Sequence, residues 1–415
     1  KHEAGKAVLR RLVETADVLV ENFRPGVMER LGVGHEALKG VNPRLIYCAI
    51  SGFGQDGPMR GSPAYDQIIQ GLSGVMSITG DSESAPLRVG YPVADSIGGM
   101  TAAFAIAAAL AGRERSGEGA FIDVSMLEST IATMGWVVSN YLIAGQQPEP
   151  IGNDNFTAAP SGAFRTADGL LNIAANKQEQ FEALAGLIGR PDLVEDARFA
   201  RREDRKRHRQ DLTIEIERAL AIDTSAVWEA RLNAAGVPAG RVLSVPEALD
   251  LPQVRGRGLV HTFEAGEALD RPLPVALSGY RFEGAARDLP CPPPRLGQHT
   301  DDILADAGFS PFEVAELKLN PQELGPIRVE IALDKGNAAI HFSAARDDVR
   351  DALAQNIGNL RDSLANAGVS LQNASTGNFG DGQAFGYMQR QAANGGGRSG
   401  ARGDAGGTND VAGVT

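Results

Sequence analysis

Residues 44–50 read Arg44-Leu-Ile-Tyr-Cys-Ala-Ile50, an apolar run of strand length. Toward the N-terminus, Asp17-Val-Leu-Val-Glu-Asn22 predicts a second strand. Short helices are expected between the two strands. One of these helices begins at Pro25, and proline is favourable in the first turn of a helix. Strands that alternate with helices predict an α/β fold with a parallel sheet.

Toward the C-terminus, the same pattern continues. We expect helices at about 64–75 and 96–112, a strand at 120–125 and one long helix at about 126–144. From about 150 the pattern changes to a predicted hairpin over 161–174, followed by helices, one of which contains Trp228. This second region is predicted to be a smaller α+β domain.

The composition limits the classes of function. The 415 residues carry a formal net charge of −12, which argues against general nucleic-acid binding. The two cysteines, Cys48 and Cys291, form neither a disulfide framework nor a metal set, and they suit a reducing, cytoplasmic location. No run of about 18 apolar residues is apparent, so no membrane span is expected.

One acid, Asp95, stands where the loop Arg88-Val-Gly-Tyr-Pro-Val-Ala-Asp95 meets a helix rich in small residues. A carboxylate at this place meets free backbone N–H groups and the positive end of the helix dipole. Aspartate is also among the best N-cap residues, and the local geometry alone favours that structural role. The residues themselves leave both roles, cap and chemistry, open.

Other catalytic motifs are incomplete. Gly52-Phe-Gly54-Gln-Asp-Gly57 follows a strand, but Pro58 comes at once, and no helix starts inside the motif as a dinucleotide site requires. The six histidines show no spacing typical of a metal site or a catalytic triad, and no Gly-x-Ser-x-Gly elbow is present. We therefore expect no metal and no permanently bound cofactor, although the glycine loop still suits the wall of a ligand cleft.

Nine short blocks appear in order around Asp95. They are Asn22-Phe-Arg-Pro-Gly26, Arg30-Leu-Gly32, Asn42-Pro-Arg-Leu-Ile-Tyr47, Ser51-Gly-Phe-Gly54, Ala64-Tyr-Asp66, Val93-Ala-Asp95, Ile122-Asp-Val-Ser-Met-Leu-Glu128, Ala235-Gly-Val-Pro-Ala-Gly240 and Gly297-Gln-His-Thr-Asp301. Together they resemble a family III CoA-transferase of the formyl-CoA-transferase-like group. The likeness extends from residue 1 to about 316.

The resemblance implies roles for individual residues. Asp95 matches the family's nucleophile, and coenzyme A is implied as a co-substrate, with an acyl-CoA donor and a carboxylic acid acceptor. The positions that match CoA or substrate contacts are Asn22, Phe23, Arg24, Arg30, Ser62, Pro63, Ala64 and Tyr65. Arginines beside an aromatic ring suit a polyanion that carries an aromatic base; without the block pattern these arginines would be read as solvated surface.

The implied reaction is CoA transfer through aspartyl anhydride and aspartyl-CoA thioester intermediates. The alternative is a 2-methylacyl-CoA racemase of the same fold. Racemases place a histidine where this chain has Tyr65, and a phenol, with a pKa of ~10, is a poor base at neutral pH. Tyr65 therefore favours transfer. No counterpart of the formyl enzymes' glycine loop is evident in 150–170, so a small dicarboxylic or aliphatic acyl-CoA is expected.

Residues 317–375 begin with the motif Leu317-Lys-Leu-Asn-Pro-Gln-Glu-Leu-Gly325, which precedes an amphipathic hairpin over 327–342, a helix at 347–367 and a last strand at 369–373. This pattern resembles a second family, the C-terminal domain of flagellar hook-length control proteins. It implies a binding module for the flagellar export machinery. We expect the junction to reflect a gene fusion or an assembly artefact, and the Gly- and Asn-rich tail to be disordered.

The predicted fold is α/β, a Rossmann-like large domain with an inserted smaller α+β domain, then a small α+β module and a tail. The family implies an interlocked homodimer. Lys1 falls inside a helical pattern, so we expect a fragment that turns over weakly or not at all. The domain limits are 1–154 for the large domain, 155–268 for the small domain, 269–316 for the return to the large domain, 317–375 for the module and 376–415 for the tail.

Overall fold

The structure is a computed structural model. It describes residues 2–266, 269–283, 289, 291–310, 314, 327–334, 337–344, 346–366 and 370–377. The chain divides into two compact units, residues 1–298 and 299–415. The domain limits drawn from the sequence stay predictions.

A parallel sheet of three strands organises the first unit. The strands are β1 (Val18–Glu21), β2 (Ile46–Ser51) and β3 (Ala120–Ser125), in the order β1-β2-β3. Val18 pairs with Ile46, and Ile46 pairs with Ala120, so β2 is the central strand. Five of its six residues are buried. The apolar run at 44–50 therefore lies at the centre of the sheet, as expected of a strand covered on both faces.

Helices accompany this sheet, and one of them is long. They are α1 (Glu3–Val13), α2 (Val27–Arg30), α3 (His35–Lys39), α4 (Asp66–Leu72), a 3₁₀ turn at Val75–Ile78, α5 (Val93–Ser116), α6 (Met126–Thr133) and α7 (Trp136–Ala144). The single helix expected over 126–144 is wrong, because Gly135, with φ +54°, separates α6 from α7. The expected start of α5 at residue 96 is also wrong, since the helix begins three residues earlier.

Helix α5 is long and apolar enough to cross a membrane by length and composition alone, contrary to expectation. Alanine supplies much of this apolar character, which a search for bulky residues misses. Only 22% of the most apolar part of the helix is buried. Since core helices of soluble proteins pass the same test, the feature is weak evidence for a membrane span. It does show that an extensive apolar surface is uncovered in the isolated chain.

A smaller α+β region follows in the first unit, built on β4 (Ser161–Arg165), β5 (Leu170–Ala174) and β6 (Ala239–Arg241), all antiparallel. Its helices are α8 (Gln178–Leu187), α9 (Asp192–Glu195), α10 (Arg202–Arg207), α11 (Arg209–Leu220), α12 (Ser225–Ala234), α13 (Val245–Asp250) and α14 (Pro252–Gly256). Trp228, Phe181 and Phe164 lie in one buried cluster. The hairpin expected at 161–174 is present.

The unit continues with the antiparallel pair β7 (Val260–Phe263) and β8 (Leu273–Ala276). The second unit contains α15 (Thr300–Asp306), β9 (Ile327–Asp334), β10 (Asn337–Ala344), α16 (Asp347–Asn366) and β11 (Ser370–Gly377). β10 lies between its antiparallel partner β9 and its parallel partner β11. The expected hairpin and helix are present, and the last strand runs four residues past the expected end.

Ile340, Phe342 and Leu371 form the buried cluster of this second sheet. The motif Leu317–Gly325, the proposed junction and residues 378–415 of the tail lie outside the described residues. Thr376 and Gly377, predicted as part of the tail, belong to β11. The α/β fold class is nevertheless confirmed, both by the parallel sheet with its helices and by the solved structures compared below.

Candidate active site

The carboxyl end of β2 begins the site. The chain leaves β2 at Ser51 into the glycine loop, where a Cβ added to Gly52 would lie 2.3 Å from the Cβ of Ala64. Glycine is therefore needed for the two segments to approach this closely. At Gly54, φ is +89°, and the next backbone N–H, that of Gln55, donates to Asp123 Oδ2 on β3 (2.9 Å). This loop is a cleft wall and not a dinucleotide fingerprint, because no helix begins inside it.

Helix α4 begins directly behind the Ala64 contact. Tyr65 is its N-cap residue in extended conformation, with a side chain that is 80% exposed. Asp66 and Gln70 lie one turn apart on the same side of the helix, and Gln70 Nε2 donates to Asp66 Oδ2 (2.6 Å). The helix thus presents an exposed phenol and a partly buried carboxylate next to each other.

Asp95 is the third residue of α5 and not its N-cap. Pro92 holds the cap position without a side-chain hydrogen bond, and the N–H of Ala94 donates to Asp66 Oδ1 (2.9 Å). Asp66, from a different helix, therefore does the capping that the sequence favoured for Asp95. Within the described residues no hydrogen bond engages the Asp95 carboxylate, which leaves it available for chemistry.

Gly52, Ala64, Tyr65 and Asp95 line one cavity of about 560 Å³, a volume typical of ligand sites. It is lined by eight of the nine sequence-predicted site residues: Asn22, Phe23, Arg24, Ser62, Pro63, Ala64, Tyr65 and Asp95. Arg30 is the exception, since it lies at the end of α2, outside the lining. Gly99 from α5 and Met126 from α6 also line the cavity.

Sequence reasoning missed part of the lining, namely Pro25, Arg60, and Ile50 and Ser51 at the end of β2. Gly52 and Phe53 of the glycine loop also line the cavity, as the sequence predicted for a cleft wall. Arg60 had one available signal, its place in the Gly- and Pro-rich stretch between β2 and the Ala64 block. It supplies a second guanidinium besides Arg24, so the cavity is positively charged at two points and negatively charged at Asp95. Such a pattern suits an anionic ligand held by arginine.

The environment alters the ionisation of Asp95. Loss of hydration at the cavity wall, with a smaller contribution from the negative charge of Asp66, raises the pKa of the Asp95 carboxyl above its ordinary value. Perturbed carboxyls inside a cleft are typical of functional sites. A carboxylate of higher pKa is also a better nucleophile while it remains ionised at neutral pH.

The positive end of α5 is largely engaged. The N–H groups of Val93, Ala94 and Ser96 donate to Tyr91 O, Asp66 and Pro92 O respectively. Three of the first four helical donors are therefore taken, which leaves little room for the helix terminus to bind an anion. Over the part of the chain that the structure describes, no group of three or more His, Cys, Asp or Glu residues is arranged to hold a metal.

The family comparison agrees with this geometry. The profile of CoA-transferase family III matches residues 1–300, well over half of the chain. The chain belongs to CoA-transferase family III. The resemblance stated from the nine blocks is thus confirmed, and the chain is identified as a CoA-transferase enzyme with CoA thioesters as substrates.

Individual relatives support the same assignment. An acetyl-CoA:oxalate CoA-transferase from Acetobacter aceti is 41% identical over 281 residues, 68% of this chain and 72% of that protein. A succinate–glutarate CoA-transferase from Agrobacterium fabrum is 37% identical and covers 74% of this chain and 76% of its own. The crystal structure of a CAIB/BAIF family protein from Brucella suis matches with a TM-score of 0.67 at 34% identity, over 74% of this chain and 79% of that one.

The C-terminal comparison is separate. The profile of the flagellar hook-length control protein FliK matches residues 311–385. The second resemblance drawn from the sequence is confirmed as well. This family III CoA-transferase therefore carries a hook-length-control-like domain in the same chain.

Proposed function

We propose that this chain transfers CoA by covalent catalysis on Asp95. The observation that carries the proposal is an acid without a hydrogen-bond partner among the described residues, which lines a cavity together with Arg24, Arg60 and Tyr65. Because Asp66 caps α5 instead, the Asp95 carboxylate keeps its lone pairs for attack. Attack by a positioned carboxylate divides one difficult transfer into easier steps.

The proposed sequence balances at each step. Asp95 attacks the acyl carbon of the donor thioester, the C–S bond breaks, and CoA leaves as thiolate with a mixed anhydride on the enzyme. The thiolate attacks the aspartyl carbonyl, which releases the donor acid and forms an Asp95–CoA thioester. The acceptor carboxylate then attacks this thioester to form a second anhydride. The freed thiolate attacks the acceptor acyl carbon, which gives the new acyl-CoA and restores Asp95.

The same cavity suits CoA by charge. Its two guanidinium groups, from Arg24 and Arg60, complement phosphate, and the half-exposed ring of Phe23 offers a face for stacking. Asn22 is anchored by a bond from its Nδ2 to Ile50 O (2.8 Å), which fixes this segment beside the strand end. Asn22, Phe23, Arg24, Ser62, Pro63, Ala64 and Tyr65 are therefore proposed as CoA or substrate contacts, with Arg30 proposed on the resemblance alone.

The test is the fate of the CoA moiety in Asp95→Ala. In a single turnover with succinyl-CoA, the natural chain is expected to gain a covalent CoA adduct on the peptide that contains residue 95, read by intact-mass and peptide mass spectrometry. Asp95→Ala is expected to lose adduct and transfer by at least about a thousandfold. Asp56→Asn, at an exposed residue outside the cavity lining, is the matched control and should form the adduct normally. Adduct formation by Asp95→Ala would reject the proposal.

Transfer is preferred over racemisation because of Tyr65. This phenol lines the same cavity as Asp95, and no histidine is among the described residues that line it. Racemisation needs two groups that exchange protons at neutral pH, on opposite sides of the α-carbon. Deuterium incorporation at the α-carbon of a 2-methylacyl-CoA, in the absence of any acceptor acid, would favour the racemase alternative.

A small dicarboxylic acid is the proposed acceptor. The two relatives described above are named for oxalate and for succinate and glutarate, all of them dicarboxylic acids. A panel of succinyl-CoA and acetyl-CoA donors against oxalate, glutarate and a monocarboxylate of equal length tests the proposal. Equal rates with the monocarboxylate would contradict it.

A homodimer in the cytoplasm is proposed as the working form. The apolar side chains of Met100 and Phe104 on α5, and of Leu142 and Ile143 on α7, are each more than 70% exposed in the single chain. Exposed apolar patches of this kind mark interaction sites. The free thiols of Cys48 and Cys291 suit a reducing compartment.

The C-terminal domain is proposed to bind a flagellar export component. The match of residues 311–385 to the FliK profile supports this, and the described sheet of β9, β10 and β11 has its own buried cluster. Binding of the purified chain to a purified export-gate protein is the test. We expect binding to be lost in Ile340→Asp, which disrupts that cluster, while adduct formation on Asp95 continues.

A further inference from the structure

A buried amide on α4 contacts the segment that leads to Asp95. Gln70 is 0% exposed, and both ends of its side chain are bonded. Oε1 accepts the N–H of Val89 (2.9 Å), and Nε2 donates to Asp66 Oδ2 (2.6 Å) and to Tyr91 O (3.4 Å). A buried primary amide is costly unless it is bonded at both ends. Its partners therefore identify what Gln70 holds, namely the backbone of residues 89–91.

Asp66 binds the backbone at the start of α5. Its Oδ1 accepts the N–H of Ala94 (2.9 Å), one residue before Asp95, and its Oδ2 is bonded to Gln70. Two side chains from one turn of α4 thus bind three backbone groups between Val89 and Ala94. Hydrogen bonds to a carboxylate are among the stronger ones in proteins. We call this arrangement the Asp66–Gln70 clamp.

We propose that Asp66 and Gln70 are positioning residues for CoA transfer, which fix the point at which the Asp95 carboxylate enters the cavity. This inference rests on the proposed role of Asp95 as nucleophile. Because Tyr65 precedes Asp66 directly, the clamp also ties the substrate-facing phenol to the nucleophile through one anchor. A helix that needed only a cap would obtain one locally, from a residue at position 92.

The clamp also brings a charge. Asp66 is the charged group whose field reaches Asp95, and it contributes to the raised pKa of that carboxyl. Arg24, Arg60 and Tyr65 line the same cavity. The lining residues that come from β2 and α6, namely Ile50, Ser51 and Met126, do not titrate. Removal of the Asp66 charge should therefore lower the pKa of Asp95 and move the acid limb of its reactivity to lower pH.

Three variants separate position from charge. Gln70→Met keeps the volume and removes the bonds to residues 89 and 91. Asp66→Asn keeps an acceptor for Ala94 but turns an N–H group toward Gln70 Nε2 and removes the charge. The double variant Asp66→Asn with Gln70→Glu restores two of these bonds, since the carboxylate introduced at position 70 accepts both from the amide introduced at position 66 and from the N–H of Val89, whereas the longer bond to Tyr91 O is lost. It also moves the charge away from Ala94. Gln67→Met, exposed on the same helix, is the matched control.

The readout is the rate of CoA-adduct formation on Asp95 in single turnovers with succinyl-CoA, against donor concentration and pH. Gln70→Met should slow the saturated rate about 10- to 100-fold, the size expected for a misplaced reacting group, with donor affinity within about twofold and an unchanged acid limb. Asp66→Asn should also shift the acid limb downward. The double variant should recover at least about tenfold in rate over Asp66→Asn, and its acid limb should return toward the natural position because a negative charge is again present in the clamp.

The results distinguish a failure of the clamp proposal from a failure of the proposed role of Asp95. If Asp95→Ala forms no adduct while Gln70→Met and Asp66→Asn keep the natural rate and pH profile, the clamp is rejected and the nucleophile stands. If Asp95→Ala still forms the adduct, the proposed function itself is rejected. If a single variant unfolds by circular dichroism, the double variant decides, because recovered folding without recovered rate contradicts a positioning role.

Discussion

Asp95 shows how a side chain's role depends on neighbours that are distant in sequence. The residue type and position fit an N-cap, yet Asp66, 28 residues before Ala94, accepts the hydrogen bond from the Ala94 N–H, so that Asp95 does not cap the helix. The arginines show that a residue outside every recognised block can still belong to the site. Arg24 and Arg60 both line the cavity, but only Arg24 belongs to a recognised block. Single residues could be nominated from the sequence, whereas their pairing required the folded chain.

The raised pKa of Asp95 predicts a cost to folding at neutral pH. A carboxyl whose pKa is higher in the folded state than in the unfolded state destabilises the fold when it is ionised. This destabilisation is present above the folded pKa and disappears below the unfolded one. Asp95→Asn should therefore have a slightly higher Tm than the natural chain at pH 7.5, as is common for active-site acids.

This difference should narrow as the pH falls toward ~4, where the unfolded acid takes up its proton. Differential scanning calorimetry across pH 4–7.5 measures it, with Asp56→Asn as the control at an exposed loop position. A lower Tm for Asp95→Asn at pH 7.5 would mean that the carboxylate stabilises the fold and is not held at a cost.

Helices and strands are placed by local pattern, but their ends are set by contacts. α5 begins at Val93 because Asp66 caps it from α4, which no local pattern indicates. α6 and α7 separate at Gly135, where φ is +54°. In the small α+β region, every residue of helix α10 is charged, yet Arg205 from it is 1% exposed.

Arg205 predicts a large stability effect within that charged run. Its Nε donates to Ala159 O (3.0 Å), its Nη1 donates to Phe199 O (2.9 Å), and the guanidinium lies 4.4 Å from the centre of the Phe181 ring. Arg205→Met leaves two buried carbonyls without their donors, so we expect a loss of about 2–4 kcal/mol in the free energy of unfolding.

Urea unfolding followed by Trp228 fluorescence in a Trp136→Phe background reports on this region, because Trp228 shares the buried cluster with Phe181. Arg207→Met, in the same helix, is the control. Arg207 is 72% exposed and paired with Asp204, and its loss should stay within about 0.5 kcal/mol. Equal effects of the two substitutions would show that burial of Arg205 is energetically irrelevant.

Different parts of the chain match two families, and an apolar surface on α5 is exposed. Residues 1–300 match CoA-transferase family III and residues 311–385 match FliK, consistent with the division into two compact units near residue 298. Along α5, Met100 and Phe104 are 74% and 79% exposed and lie one turn apart, so they share a face. A membrane or a second copy of the chain is the kind of partner that such a face accepts.

We expect a second copy, and the double substitution Met100→Glu with Phe104→Glu tests it. Charged residues on this face should convert a dimer into a monomer, with a weakening of association of about a hundredfold or more, since each buried aromatic or methionine side chain contributes about 1.5–3 kcal/mol. Sedimentation velocity over a concentration series measures the change. Ile222→Glu, at a residue that is 76% exposed in the small α+β region, is the control.

A natural chain that is monomeric at all concentrations, or a double variant that associates like the natural chain, contradicts this expectation. Binding of the natural chain to phospholipid vesicles without self-association would instead favour the membrane as the partner of α5.

The amino-acid sequence determined the fold class, the order of most helices and strands, both family resemblances and most of the residues that line the cavity. These follow from local periodicity and from short blocks, each contained within a few adjacent residues. The folded chain alone revealed the Asp66–Gln70 clamp, the start of α5 and the place of Arg60. The clamp joins groups 19 and 28 residues apart, and contacts at that separation depend on how α4 packs against α5, which no local pattern encodes.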